Sequence, residues 1–154
     1  MNYTPATKLT INDQSAILQH LTQLVGYWQG ITETGDPVFV DYEMTASDSV
    51  LVEHWVFHNK VEALTLYHLD GPDLIARHYC PIGNQPRLDL VRVNQDGRIE
   101  FQFASATNLP DPDTDHAHHF DLKIIDADTM HRNETYLERQ IADTNGTTFS
   151  RIAK

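Results

Sequence analysis

Polar and apolar residues alternate with a period of two over most of the chain that follows Gly26. Such alternation is typical of strands that bury one face. Ten segments of this kind follow one another, so the pattern predicts about ten strands. They cover residues 27–34, 38–45, 50–57, 63–69, 74–80, 87–93, 98–104, 116–125, 129–136 and 147–152.

Short turn sequences separate these strands, among them Asp70-Gly71-Pro72, Asn94-Gln95-Asp96-Gly97 and Asn145-Gly146. Connections this short join antiparallel neighbours, because a parallel crossover needs a dozen or more residues. A sheet of about ten strands curls, and closing it removes its exposed edges. The sequence therefore predicts an all-β fold, a single up-and-down antiparallel β-barrel.

One segment before the strands has a helical period instead. Its apolar residues recur with the spacing of one helix face; they are Ile17, Leu18, Leu21, Leu24 and Val25. Asn12 or Asp13 can cap its first turn, and Gly26 suits the left-handed position after its last turn. We expect a short N-terminal helix, a flexible segment over residues 1–11 and one domain over residues 12–154.

The tripeptide Gly26-Tyr27-Trp28, which follows this helix, resembles the G-x-W signature of the lipocalins and their calycin relatives. The resemblance implies that Trp28 closes one end of the barrel and stacks with a basic residue of the last strand. Arg151 occupies the matching position. A guanidinium over an indole face is a favourable pair, so this match is physically sound.

Several longer segments carry a second resemblance, and they lie within residues 21–151. They are residues 66–71, residues 78–80, residues 83–87, residues 106–109 and residues 116–118. They are similar to segments of a family of small bacterial calycin-type proteins of unassigned function. The similarity implies a barrel like those of lipocalins and fatty-acid-binding proteins. It implies no activity, because such barrels carry many unrelated functions.

Composition narrows the function classes. The chain has 22 acidic and 11 basic residues and a formal net charge of −11. Without clustered Lys or Arg, binding to nucleic acid or to an anionic membrane surface is not expected. The single Cys80 forms no internal disulfide, and the first residues do not resemble a signal peptide, which leads us to expect a cytoplasmic protein.

The hairpin at Asp70-Gly71 predicts where two candidate site residues lie. A short loop there sets Thr65 opposite His78 and places Tyr67 and His78 on the inner face. Tyr67 and His78 then present a hydroxyl and an imidazole to an enclosed ligand. The alternative is a buried hydrogen bond between them that satisfies both groups.

Two histidines, His116 and His118, share one face of a predicted strand. Residues two apart on a strand lie roughly 6.6 Å apart along it. They can converge on a metal ion if His78 or Glu53 supplies a third ligand. The alternative is a polar pair at the barrel mouth beside the acidic loop of residues 109–115, which holds no metal.

Arg87 and Glu53 are the charged candidates for the interior. Arg87 can clamp a ligand carboxylate or phosphate, or it can pin its own loop through hydrogen bonds. Glu53 belongs to a strand that is apolar on both faces. If no cation pairs with Glu53, burial raises its pKa and makes it a candidate general base; the alternative is an ion pair with an arginine.

The sequence favours binding of a small, largely apolar molecule that carries a polar or anionic group. Tyr67, His78, His116 and His118 hold its polar end in this interpretation, and Arg87 neutralises its charge. The first alternative is a barrel that binds a metal through His78, His116 and His118 with Glu53 as base, or one that binds haem through an axial histidine such as His131, as in nitrobindin. The second is a homodimer built on the helix and residues 50–57. The sequence has no recognised catalytic or dinucleotide motif, so no cofactor or catalytic residue is assigned.

Overall fold

The computed structural model describes residues 9–154, which form one α-helix and ten strands. The helix α1 spans Gln14–Leu21. The strands are β1 Gly26–Ile31, β2 Pro37–Thr45, β3 Val50–Phe57, β4 Lys60–Asp70, β5 Asp73–Tyr79, β6 Gln85–Val93, β7 Ile99–Thr107, β8 His116–Asp126, β9 Thr129–Glu138 and β10 Ile141–Ile152.

The strands form a closed barrel in which each strand pairs with its neighbour in sequence. All pairs are antiparallel, and β1 pairs with β10 to close the sheet. The predicted all-β, up-and-down barrel with a short helix near its N-terminus is confirmed. The loops therefore alternate between two ends of the barrel, and the β1–β2, β3–β4 and β9–β10 connections share one of them.

The predicted cap of the helix is confirmed, but its predicted end is wrong. The Asp13 carboxylate accepts a hydrogen bond from the backbone N–H of Ala16 at 3.1 Å. The helix stops at Leu21 and continues as one 3₁₀ turn, Thr22–Leu24. Gly26 has a φ of +136° and begins β1. A Cβ there would overlap the Arg151 guanidinium, so the close approach of that side chain requires glycine.

The predicted turn at Asn145-Gly146 is also wrong, because these residues lie within β10. The chain turns instead at Arg139 and Gln140, both at positive φ (50° and 64°). Hairpin turns of this type favour Asn and Gly, so nothing in the Arg-Gln pair signals a turn. The longer β10 brings Asn145 and Thr147 onto the barrel wall.

The helix end of the barrel is closed by a compact apolar cluster. Leu21, Leu24 and Trp28 are fully buried in it, and the Trp28 indole N–H donates to the Leu24 carbonyl at 2.8 Å. The Arg151 guanidinium carbon lies 4.4 Å from the centre of the Trp28 ring. The stacking implied by the G-x-W resemblance is therefore formed.

The N-terminal segment is described only in part. Residues 1–8, most of the predicted flexible segment, lie outside the described residues, and Leu9 packs against the core. Within residues 9–154, no helix has the length and apolar character needed to cross a membrane.

Candidate functional site

A buried carboxylate, that of Glu53, lies inside the barrel. Glu53 projects from β3 and is completely inaccessible to solvent. Its Oε2 accepts hydrogen bonds from the hydroxyls of Tyr42 and Tyr67, each at 2.7 Å. Its Oε1 accepts one from the Trp55 indole N–H at 2.8 Å. Both oxygens are therefore satisfied by groups on β2, β3 and β4.

Arg132, on β9, is the cation that pairs with this carboxylate. Its Nη1 donates to Glu53 Oε2 at 2.7 Å and to the Tyr67 hydroxyl at 3.1 Å. Its Nε donates to Glu134 Oε1 at 2.7 Å. The guanidinium carbon also lies 4.2 Å from the Phe120 ring centre and 5.0 Å from that of Trp55. Arg132 thus joins two carboxylates across the barrel interior.

The electrostatic environment keeps Glu53 ionised. Burial raises its pKa, but Arg132 and the hydrogen bonds from Tyr67, Tyr42 and Trp55 together lower it below its ordinary value. A carboxylate held in this way and fully shielded from solvent presents no oxygen to a ligand. The ion pair with an arginine, one of the two interpretations of Glu53, is the one formed; the general-base interpretation lacks access to any cavity.

Glu134 differs from Glu53 although both contact Arg132. Burial raises the pKa of Glu134 and the nearby Glu53 raises it further, whereas Arg132 opposes the shift without cancelling it. About 29% of the Glu134 side chain is exposed, against 0% for Glu53. Glu134 is therefore the carboxyl of the cluster that reaches an open space.

That space is a cavity of about 300 Å³ at the end of the barrel opposite the helix. Arg132 and Glu134 contribute to its lining. Its apolar walls come from β2, β3 and β10 and consist of Val38, Trp55, Phe57 and Phe149. Its polar lining consists of Thr32, Glu33, Thr34, Asn145 and Thr147. We call it the mouth cavity; its volume is at the lower limit for small-molecule sites.

The predicted register at the Asp70-Gly71 hairpin is confirmed, because Thr65 lies opposite His78. The alternative interpretation, a hydrogen bond between Tyr67 and His78, is not formed, because each has other partners. The Thr65 hydroxyl lies 3.0 Å from His78 Nδ1, and Tyr136 OH lies 3.5 Å from His78 Nε2. A space of about 10 Å³ beside His78, Tyr136 and Glu134 has room for one water molecule and for no larger ligand.

Burial lowers the pKa of His78 from 6.5 to about 4, with Glu53 opposing the shift and Arg132 adding to it. The imidazole is thus neutral in the folded protein and takes up a proton near pH 6.5 once the chain unfolds. Its contribution to stability is complete above pH 6.5 and is lost as the pH falls towards 4.

From this shift we expect a measurable pH dependence of stability. When the pH is lowered from 7.5 to 5.5, the free energy of unfolding of the wild type should fall by about 1.4 kcal/mol more than that of His78→Asn. This difference is the effect of one pH unit below the pKa of the imidazole in the unfolded chain. Urea denaturation at both pH values measures this. His68→Asn, on the outer face of the same hairpin, is the control and should keep the wild-type dependence. Equal pH dependence in wild type and His78→Asn would contradict the prediction.

His116 and His118 do not form the three-ligand arrangement that the metal-binding alternative requires. A bulge at His118 breaks the alternation of β8, so Ala117 lies opposite Tyr136. His116 Nε2 is 3.2 Å from His118 Nδ1, and His116 Nδ1 is 2.7 Å from the Thr114 carbonyl. Among residues 9–154, no three His, Cys, Asp or Glu residues are placed to hold a metal ion.

His131 is not placed to ligate a haem inside the barrel. It alternates on β9 with the buried Met130 and Arg132, so it faces outward. Its ring nitrogens lie 3.0 Å from the Thr148 hydroxyl and 3.1 Å from Asn133 Oδ1. An axial role for His131 towards an enclosed haem is therefore wrong.

Arg87 also lies on the outer face, since its neighbours Pro86 and Leu88 are buried. Its Nε donates to Asp89 at 2.8 Å, and its Nη1 donates to Asp70 at 3.3 Å. The expectation of an inward Arg87 is wrong, because Arg87 forms ion pairs with Asp89 on its own strand and with Asp70 on β4. The interior cation is Arg132 instead.

Sequence reasoning missed Arg132 and Glu134. The only available signal is the alternation along β9, which places both on the face of Met130 and Tyr136. Two adjacent charges on that face are more typical of a solvated surface, so the signal is weak. Of the predicted site residues, Tyr67 and Glu53 join one cluster, whereas Arg87, His116 and His118 lie elsewhere. Direct contact of any of them with a ligand stays a prediction.

No family model and no curated protein matches this sequence. Among solved structures, the chain resembles a protein of unknown function of the DUF3598 family from Nostoc punctiforme, with a TM-score of 0.57 and 12% identity. That match covers 97% of this chain but 52% of the other, so this chain spans about half its length. Rv2717c from M. tuberculosis has a TM-score of 0.50 and 15% identity, covering 88% and 96% of the two chains. Identities this low show the barrel fold alone.

Proposed function

We propose that the protein binds a small, largely apolar molecule in the mouth cavity, with the molecule's polar group at Arg132 and Glu134. The observation that carries this is the combination of aromatic walls and a buried charged cluster in one open cavity. Ligand sites commonly combine a mostly apolar surface with a few fixed polar groups. The acidic loop of residues 109–115 does not line this cavity, so entry beside it is not part of the proposal.

The apolar part of the ligand packs between the aromatic side chains. Phe57 stacks beside Trp55 at 6.4 Å between ring centres, and Phe149 meets Trp55 edge-on at 6.0 Å. These contacts hold the rings in place before a ligand arrives, so binding costs little side-chain entropy. A ligand ring of benzene size can bury its faces against them.

The polar group is oriented by a rigid cluster. Arg132 is fixed by Glu53 and Tyr67 behind it and by Glu134 beside it. Tyr67 and Glu53 therefore act on the ligand through Arg132 rather than by direct contact. A cluster held in this way presents its remaining polar atoms in one geometry, which favours specific recognition.

A titration with 2-phenylethanol, which has one ring and one hydroxyl, tests the proposal. The protein has two tryptophans, so its NMR spectrum should contain two indole N–H signals. We expect the Trp55 signal to shift on titration, because Trp55 lines the cavity, and the Trp28 signal to shift far less. Thr147→Phe fills the cavity and should weaken binding at least tenfold, about 1.4 kcal/mol.

Thr148→Phe is the matched control, because the same side chain is then added at the exposed neighbouring position. It should bind as the wild type does. Thermal unfolding of both variants checks that each is folded. If neither 2-phenylethanol nor its amine and carboxylate analogues move the Trp55 signal, or if both variants bind equally well, the proposal is wrong.

A further inference from the structure

The charges around the mouth cavity are unbalanced. Among the described residues that line it, Glu33 and Glu134 are acidic and Arg132 is the one basic residue. Glu53 lies directly behind Arg132, at 2.7 Å from its Nη1. Two carboxyl groups pair with this guanidinium and Glu33 adds a third to the cavity lining, so the cavity is negative rather than positive when all three are ionised.

The Arg132 guanidinium already pairs with two carboxylates of the protein. Its Nη1 and Nε donate to Glu53 and Glu134. The rings of Phe120 and Trp55 lie within about 5 Å of its central carbon, and only 3% of the side chain is exposed. An anionic ligand would have to compete with two carboxylates for this cation, so the structure disfavours an anion.

Glu134 retains an available acceptor. Its Oε1 accepts from Arg132, and within the described part of the chain no hydrogen bond reaches its Oε2. The side chain is partly exposed, and it lines the cavity beside the aromatic walls. A carboxylate oxygen in such a place binds a donor, and it binds a charged donor most strongly.

From these contacts we infer that the ligand's polar group is a protonated amine bound to Glu134, so the ligand is a small arylalkyl or alkyl ammonium ion. The inference rests on the proposed function, because it requires the mouth cavity to be the binding site. The aromatic side chains of Phe57 and Phe149 contribute further, since ring faces attract ammonium groups. Glu33 at the rim adds negative potential that draws a cation towards the cavity.

Three probes that share one ring and a two-carbon side chain separate the possibilities. They are 2-phenylethylamine, 2-phenylethanol and phenylacetate, each titrated at pH 7 while the Trp55 indole signal is followed. We expect the ammonium ion to bind about tenfold more tightly than the alcohol, and phenylacetate to bind most weakly. Glu134→Gln keeps the acceptor for Arg132 and should remove the preference for the amine.

Glu62→Gln is the matched control, because it removes the same charge from an exposed residue that does not line the cavity. Glu62→Gln should keep the tenfold preference for the amine. The preference then comes from Glu134 and not from the net negative charge of the protein. Equal binding of amine and alcohol, tighter binding of phenylacetate, or an equal loss in both variants would overturn the inference and leave the proposed function standing. If none of the three probes moves the Trp55 signal, the proposed function fails as well.

Discussion

Arg132→Met should lower the free energy of unfolding by about 3–5 kcal/mol, the cost of leaving a buried charge unpaired. The carboxylate of Glu53 would keep its hydrogen bonds from Tyr42, Tyr67 and Trp55 but lose the guanidinium at 2.7 Å. Methionine fills much of the same apolar space between Trp55 and Phe120. The loss of stability is therefore caused by the unpaired charge of Glu53 and not by a cavity. Urea denaturation at pH 7 measures it.

A second variant separates this electrostatic effect from lost packing. Glu53→Gln with Arg132→Met removes both charges, and the amide can still accept from the tyrosines. The double variant should be more stable than Arg132→Met alone, because no unpaired charge is left. Relative to the wild type, Arg132→Met should regain stability as the pH falls, since an unpaired buried Glu53 takes up a proton on folding. A double variant no more stable than Arg132→Met would contradict this account.

Arg151→Met should lower the free energy of unfolding by about 2–4 kcal/mol, because three hydrogen bonds from a charged group are lost. The loss is smaller than for three buried bonds, since the side chain is 27% exposed and water screens its charge. The guanidinium donates to the carbonyls of Gln23 at 2.7 Å, Val25 at 2.6 Å and Ala127 at 2.9 Å. It also covers the Trp28 ring. One side chain thus connects the 3₁₀ turn, the start of β1 and the β8–β9 turn.

The readouts for this prediction are urea denaturation and the indole N–H signal of Trp28. That signal should move in Arg151→Met, because the ring loses its cationic neighbour. Arg92→Met is the matched control, since Arg92 is exposed and lies 4.0 Å from Glu100. It should cost less than 1 kcal/mol, as exposed pairs do. Similar losses in the two variants would show that the contacts of Arg151 add nothing specific.

Much of the barrel could be predicted because strand periodicity is a local property. The bounds of β3 were predicted as observed, and so was the opposition of Thr65 and His78 across a tight turn. The prediction failed at the β9–β10 turn. Arg139 and Gln140 form this turn at positive φ, a conformation for which an Asn-Gly pair such as Asn145-Gly146 has the higher intrinsic preference. It also failed at His118, because a bulge moves residues out of alternation without a signal in the sequence.

The candidate site was predicted only in part, for a different reason. Glu53 and Tyr67 were recognised as inward residues on β3 and β4, where the surrounding residues are apolar. Arg132 lies 79 residues from Glu53, on a strand that is not a neighbour of β3 in the sheet. A contact across the barrel interior depends on the tilt and register of every strand between the two, and no local pattern encodes it.

By itself, the sequence determined the approximate number of strands, their antiparallel order and a helix cap at Asn12 or Asp13, and its G-x-W resemblance implied the pairing of Trp28 with Arg151. These features follow from hydrophobic alternation, short connections and a signature tripeptide, all of which are readable along the chain. Only the tertiary structure decided that the interior cation is Arg132 rather than Arg87, and that Glu134 reaches a cavity while Glu53 does not. The physical reason is that burial and ion pairing are set by side chains from distant strands, which meet only when the barrel closes.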